Sequence, residues 1–163
     1  MSHSLAGATP ALTYLNARGV LFDELWYRHS DDFLGGYGVE AATRLGASRD
    51  EVFKTLMLDV DGEPVAALVP ASHRLSQKKV ARAMGSKRAE FMEPSKAQQR
   101  SGYVVGGISP FGQKHPHRVV LDERALALTS IIVSGGRRGL SIRLKVTDFL
   151  QETEAVVADI CAR

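Results

Sequence analysis

Leu12 and Leu15 share one helical face behind Thr9-Pro10, a capping hydroxyl followed by proline at the first helical position, so a helix is expected there, closed by Gly19. Residues 20–26 carry the β-branched and aromatic content of a strand, and residues 31–38 hold three glycines and read as a loop. A second helix is expected over 39–45, closed by Gly46, and Ser48 with Glu51 has capping-box spacing. The apolar runs 55–60 and 65–69 flank Asp61-Gly62, the strongest short hairpin signal in the chain. Ser76 caps a helix through Met84 that carries Lys78, Lys79 and Arg82, and residues 94–100 form another short helix. Residues 103–105 lead into the glycine-rich stretch 106–112. Val119 to Leu121 reads as a strand, with Asp122 capping the next helical turn. Two more strands, 131–133 and 140–144, are expected around a turn at 135–139, and Thr147 caps a last helix that carries Cys161 near its end.

Hairpins and helices alternate without the regular βαβ rhythm of a doubly wound sheet, so the fold class is mixed α/β. There is no repeat, low-complexity tract or linker, and residues 1–163 are expected to form one domain. No stretch approaches the ~20 apolar residues of a membrane span, and residues 1–10 lack the basic start and apolar core of a secretory leader. The single cysteine excludes an internal disulfide and a multi-thiolate zinc site, which points to a reducing, cytoplasmic setting. The net charge of +3 is unevenly distributed. Between Arg74 and Arg118 lie ten Lys and Arg against Glu90 and Glu93, while the flanks are acidic. A basic centre of this kind attracts polyanions; the plainer reading is a solvated helix face.

Three segments carry candidate chemistry. Lys54 sits within Val52-Phe53-Lys54-Thr55-Leu56-Met57-Leu58, and a lysine among apolar neighbours either snorkels at a strand end or points into a cleft with a lowered pKa. In the stretch from Gly102 to Gly112, Gly106-Gly107 lets the backbone approach a ligand and offers N–H groups to a carbonyl oxygen, though a tight turn has the same signature. It matches neither a Walker loop nor a dinucleotide fingerprint. In Ser134-Gly135-Gly136-Arg137-Arg138-Gly139-Leu140 the glycines suit a hairpin and the arginines suit phosphate. His115, His117 and His29 lack the carboxylate or cysteine support of a metal site, and Cys161 reads as a packed small hydrophobe. No nucleophile elbow or carboxylate pair is present, so an enzyme built from this chain works by positioning and backbone electrostatics.

Taken in this order and spacing, the three segments resemble the YbaK family of the aminoacyl-tRNA editing domain superfamily, relatives of the prolyl-tRNA synthetase insertion domain. The similarity is strongest to bacterial Cys-tRNA(Pro) deacylases and runs over roughly residues 9–160. It implies a barrel-like mixed sheet wrapped by helices, and no metal or cofactor. The activity it implies is trans-editing cleavage of a mischarged aminoacyl ester, with the acceptor end of aminoacyl-tRNA as ligand and prolyl-tRNA synthetase as the associated protein. It assigns Lys54, Gly106 and Gly107 to catalysis, and Tyr27, Tyr37, Thr55, Ile108, Ser109, Pro110, Ser134, Gly135 and Ser141 to the substrate. Ser141 departs from the family, which has an acidic residue there. That departure keeps open a deacylase for alanine or serine, and a non-catalytic tRNA-binding or synthetase-adaptor module is the reading from another class. For a cysteinyl ester, the resemblance implies that the substrate's own thiol attacks the carbonyl.

Overall fold

The computed structural model describes residues 8–163; the leader reading over residues 1–10 therefore lies mostly outside the described residues. Helix α1 (Pro10–Ala17) starts as expected. The Thr9 hydroxyl accepts from the Leu12 N–H, and Ala11, Leu12 and Leu15 are buried. Strand β1 (Asp23–Trp26) is followed by a long loop and then α2 (Tyr37–Leu45), which Gly46 closes in the left-handed conformation. Strands β2 (Phe53–Val60) and β3 (Glu63–Pro70) pair antiparallel around Asp61 and Gly62, both at positive φ as a two-residue hairpin turn requires. Then come α3 (Gln77–Ala83), β4 (Ala89–Phe91), α4 (Pro94–Ser101) and β5 (Arg118–Asp122). A 3-10 turn leads to the pair β6 (Ser130–Arg137) and β7 (Leu140–Lys145), and α5 (Val146–Thr153) and β8 (Val156–Ala158) end the order.

The strands form two sheets: β1-β7-β6, and β4-β2-β3-β5-β8. The second is mixed, antiparallel through its hairpin and parallel where β5 joins β3 and β8 joins β5. A single parallel bridge, Val52 to Ile132, ties the sheets at the start of β2, where the Ile132 N–H donates to the Glu51 carbonyl at 2.9 Å. Expected barrel closure is therefore incomplete, and the sheets meet along one seam. The largest core cluster fills the space under that seam, with Phe53, Leu68, Leu121, Ile131, Ile142 and Phe149 all at 1% exposure or less. No helix among the described residues is long and apolar enough to cross a membrane.

Several local expectations change. The first strand begins at Asp23 rather than residue 20. Gly135 and Gly136 lie inside β6, at a bulge, and the hairpin turn is Arg138-Gly139. Lys145, not Thr147, occupies the N-cap position of α5, and no side chain caps that helix. That helix stops at Glu154, whose φ of 51° ends it, so Cys161 lies in no helix but bridges Leu75 in extended backbone. Strands β4 and β8 are three residues each and too short to stand out as patterns.

Candidate functional site

A cavity of about 240 Å³ opens at the seam between the sheets. Val52 and residues 53–57 of β2 supply one wall, and β6 and β7 supply the facing wall through Val133, Ser134, Leu140 and Ser141. Tyr37, Gly38 and Ala41 of α2 close one side, Phe91, Met92, Pro94 and Ala97 another, and Val105, Gly106 and Ile108 form the rim.

Lys54 lies on the β2 wall, paired in register with Val69. Its ammonium makes no hydrogen bond or ion pair among the described residues. Burial lowers its pKa below the ordinary lysine value; Cys161 opposes the shift and the positive charge of Arg74 adds to it. The side chain is half-buried rather than fully solvated, so the cleft-facing alternative describes it. Beside it the Thr55 hydroxyl is buried and has no partner. An orphaned hydroxyl in a cavity wall is a ready contact for a polar group of a ligand.

The two glycines of the rim differ. Gly106 has φ 88°, and a Cβ there would lie 2.6 Å from the Tyr37 ring. Tyr37, not open space, occupies that side. The ring is covered in turn by the Arg138 guanidinium, 5.0 Å from its centre, whose Nε donates to the Val105 carbonyl at 2.8 Å. Gly107 donates its N–H to the Val104 carbonyl at 2.8 Å, and its Cα lies against the backbone of Arg137 and Arg138, where a Cβ would come within 2.7 Å. It closes a tight turn and packs the rim on the β6–β7 turn. The N–H groups of Gly106 and Ile108 donate to no acceptor among the described residues, and those two residues face the cavity.

Tyr37 is held by the loop before it. The Glu40 carboxylate, 1% exposed, accepts from His29 Nδ1 at 2.7 Å, the Ser30 N–H at 2.9 Å and Arg44 Nε at 3.1 Å. Burial pushes the Glu40 pKa up, but these hydrogen bonds outweigh it and the net shift is downward. Hydrogen bonds to Glu40 and then Asp31 raise the His29 pKa. The His29 and Tyr37 rings lie 5.9 Å apart, so the cluster fixes the loop against the start of α2.

Ser134 and Ser141 face each other across the β6–β7 pair. The Ser134 hydroxyl accepts from the Gly136 N–H at 3.2 Å, and Ser141 is 4% exposed. Thus Lys54, Gly106, Tyr27, Tyr37, Thr55, Ile108, Ser134 and Ser141 converge on the cavity, whereas Gly107, Ser109, Pro110 and Gly135 stand behind its walls. The buried Ser109 hydroxyl accepts from the Phe111 N–H, shaping the rim from behind. Gly135 has the Leu140 side chain where a Cβ would be, so its role is close packing. Sequence reasoning missed the apolar lining, notably Val52, Phe91, Met92 and Val133, which reads as ordinary core.

Elsewhere, Cys161 is buried and its thiol is pushed up to about 12, by burial first and then by Asp122. Asp122, Asp159 and Cys161 come close together, but Arg124 and Lys79 already pair with the two carboxylates. Part of the basic centre is similarly engaged: Lys79 with Asp159, Arg88 with Glu90, Lys96 with Asp59. Lys78, Arg82, Lys87, Lys114 and Arg118 are exposed and in no ion pair among the described residues.

Comparison with known proteins agrees with this geometry. Residues 37–152 match the family model of the aminoacyl-tRNA editing domain. The chain is 33% identical over 156 residues to a protein of Enterococcus faecalis named as a candidate Cys-tRNA(Pro)/Cys-tRNA(Cys) deacylase, EbsC, covering 95% of this chain and 94% of that one. A proline–tRNA ligase of Geobacter metallireducens is 31% identical over 121 residues, 74% of this chain but only 21% of the ligase. Among solved structures, a candidate trans-editing enzyme for prolyl-tRNA synthetase superposes with a TM-score of 0.81 at 25% identity, over 94% of this chain and 96% of that one. The hypothetical protein APE2540 does so at 0.83 and 25%, over 94% and 99%. With the family match running through both walls of the cavity, the chain belongs to the aminoacyl-tRNA editing domain family.

Proposed function

We propose that this aminoacyl-tRNA deacylase clears Cys-tRNA(Pro) in trans, as one domain in the cytosol, with prolyl-tRNA synthetase as its partner. The observation that carries the reading is the cavity's chemistry: an apolar chamber with one unpaired lysine and unpartnered rim N–H groups, and no acid, histidine or cysteine in its lining to activate a nucleophile. Such a site positions and polarises an ester, and the substrate has to bring the attacking group. A cysteinyl ester does so. Its thiol gives up its proton as the sulfur bonds to the carbonyl carbon, the bond to the tRNA's terminal ribose oxygen breaks, that oxygen takes up a proton, and the cysteine leaves as a cyclic thioester that water opens. The N–H groups of Gly106 and Ile108 hold the oxyanion, Lys54 holds the 3′ end of the tRNA, and the apolar wall aligns the thiol. Proline fits an apolar chamber too but has no thiol, so discrimination against the correctly charged tRNA comes from chemistry rather than size.

Ser141 supports a second reading, removal of alanine or serine, because a neutral wall admits either side chain. A single-turnover panel of Cys-, Ala-, Ser- and Pro-tRNA(Pro), with Cys-tRNA(Cys), separates the two. Fastest cleavage of Cys-tRNA(Pro), with Pro-tRNA(Pro) untouched, is the expected outcome. A preference for the alanyl or seryl ester selects the second reading, and tRNA binding without cleavage of any ester contradicts both.

A further inference from the structure

The charge inventory of the cavity bears on which form of the substrate it takes. Lys54 supplies a cation, Tyr27 and Tyr37 are the other ionisable groups of the lining, and no carboxylate faces the space. From neighbouring elements, Arg74 and Cys161 act on Lys54, Glu40 and Arg44 on Tyr27, and Arg138 on Tyr37. Glu40 is the acid in this set, and its oxygens already accept from His29, Ser30 and Arg44. An α-ammonium carried in on the ester would exchange water for apolar side chains, neutral hydroxyls and a like charge. The apolar side chains and the like charge disfavour the charged form, and the neutral hydroxyls offset only part of the lost hydration.

We infer that the protein takes the aminoacyl ester with its α-amine uncharged, and therefore also cleaves 2-hydroxyacyl esters, which have the same shape with a hydroxyl in place of the amine. Ser134 and Ser141, opposite each other on β6 and β7, are the polar groups of the facing wall. A serine hydroxyl both donates and accepts, so it serves a neutral amine and a hydroxyl alike, where a carboxylate would select the ammonium. This rests on the deacylase reading above and deepens it to a substrate class.

The test is single-turnover cleavage of tRNA(Pro) carrying cysteine or its 2-hydroxy counterpart, from about pH 6 to 9, with the uncatalysed hydrolysis of each ester at the same pH subtracted from its rate. Both esters carry the same thiol, so the ratio of cysteinyl to hydroxyacyl rate isolates the amine. That ratio should rise about tenfold per pH unit below the amine's pKa, which lies at or below the roughly 7.7–8.0 of free α-amines, and level off above it. A ratio independent of pH, or a hydroxyacyl ester left intact while the cysteinyl ester is cleaved, overturns the inference and leaves the deacylase reading standing. Cleavage of no charged tRNA overturns both. Ser141→Asp should flatten the ratio at low pH and slow the hydroxyacyl ester selectively. An unchanged profile in a folded Ser141→Asp also overturns the assignment, and if that buried aspartate prevents folding, the wild-type ratio decides alone.

Discussion

At the scale of one residue, Lys54 carries an electrostatic cost of folding. Its folded-state pKa is depressed, so the charged form is disfavoured by folding; the penalty applies at neutral pH and fades as pH rises through the folded value toward the ordinary 10.5. Removing the charge should relieve it. Lys54→Met is expected to lose deacylation while its unfolding free energy rises by about 0.5–1 kcal/mol; denaturant unfolding at pH 7 checks this, and a loss above about 1 kcal/mol would mean the lysine is structural. Gly106 makes the complementary case. Gly106→Ala places a methyl against the Tyr37 ring at positive φ, at a cost of about 1–3 kcal/mol in stability, with loss of turnover. Adding Tyr37→Ala should recover part of that stability, because the two changes share one clash; strict additivity in thermal unfolding would show that the ring does not pack there. Gly106 and Gly107 are alike in sequence, and only tertiary packing separates the one that lines the cavity from the one that closes a turn.

At the scale of elements, the loop between β1 and α2 depends on the Glu40 cluster. The pKa of Glu40 is held below the ordinary 4.5, so its contribution is complete above that pH and is lost as pH falls through the depressed folded value. His29 has a raised pKa, so its contribution is complete below 6.5 and is lost as pH rises through the raised folded value. Both act together between about pH 4.5 and 6.5. Glu40→Gln should cost about 1–3 kcal/mol there, as expected for disrupting a buried hydrogen-bonded charge. The deficit should shrink toward acid and toward alkali, persisting in part at high pH where Arg44 stays charged. Thermal unfolding across pH 4–9 reads it, and a pH-independent deficit would contradict the cluster. What was legible at this scale follows one physical rule. The Asp61-Gly62 hairpin and the Thr9 cap are set by neighbouring residues, and both are present. Strands β4 and β8 exist because β2 and β5 supply their hydrogen-bond partners, which no local pattern encodes. The glycines at 135 and 136 promise a bend, but whether it is a turn or a bulge depends on register with β7.

At the scale of the whole molecule, the sequence places the polar site residues on separate segments, and the seam between the sheets gathers them. The apolar lining was hidden because a buried cavity wall and a packed core have the same composition. The basic centre also thins on folding, since three of its cations pair with acids on the same chain. If about four of the remaining exposed cations meet phosphate, affinity for tRNA should fall roughly a hundredfold between about 50 and 200 mM salt; binding titrations unaffected by salt would remove that face from the interface. On the proposed function, the seam cavity is where an aminoacyl ester is cleaved. The most direct test of that placement is the single-turnover rate on Cys-tRNA(Pro) of the wild type and of Lys54→Met at matched, saturating enzyme. Rapid cleavage by the wild type and a rate near uncatalysed hydrolysis for a folded Lys54→Met are the expected results; equal rates for the two proteins would rule the cavity out as the place of cleavage.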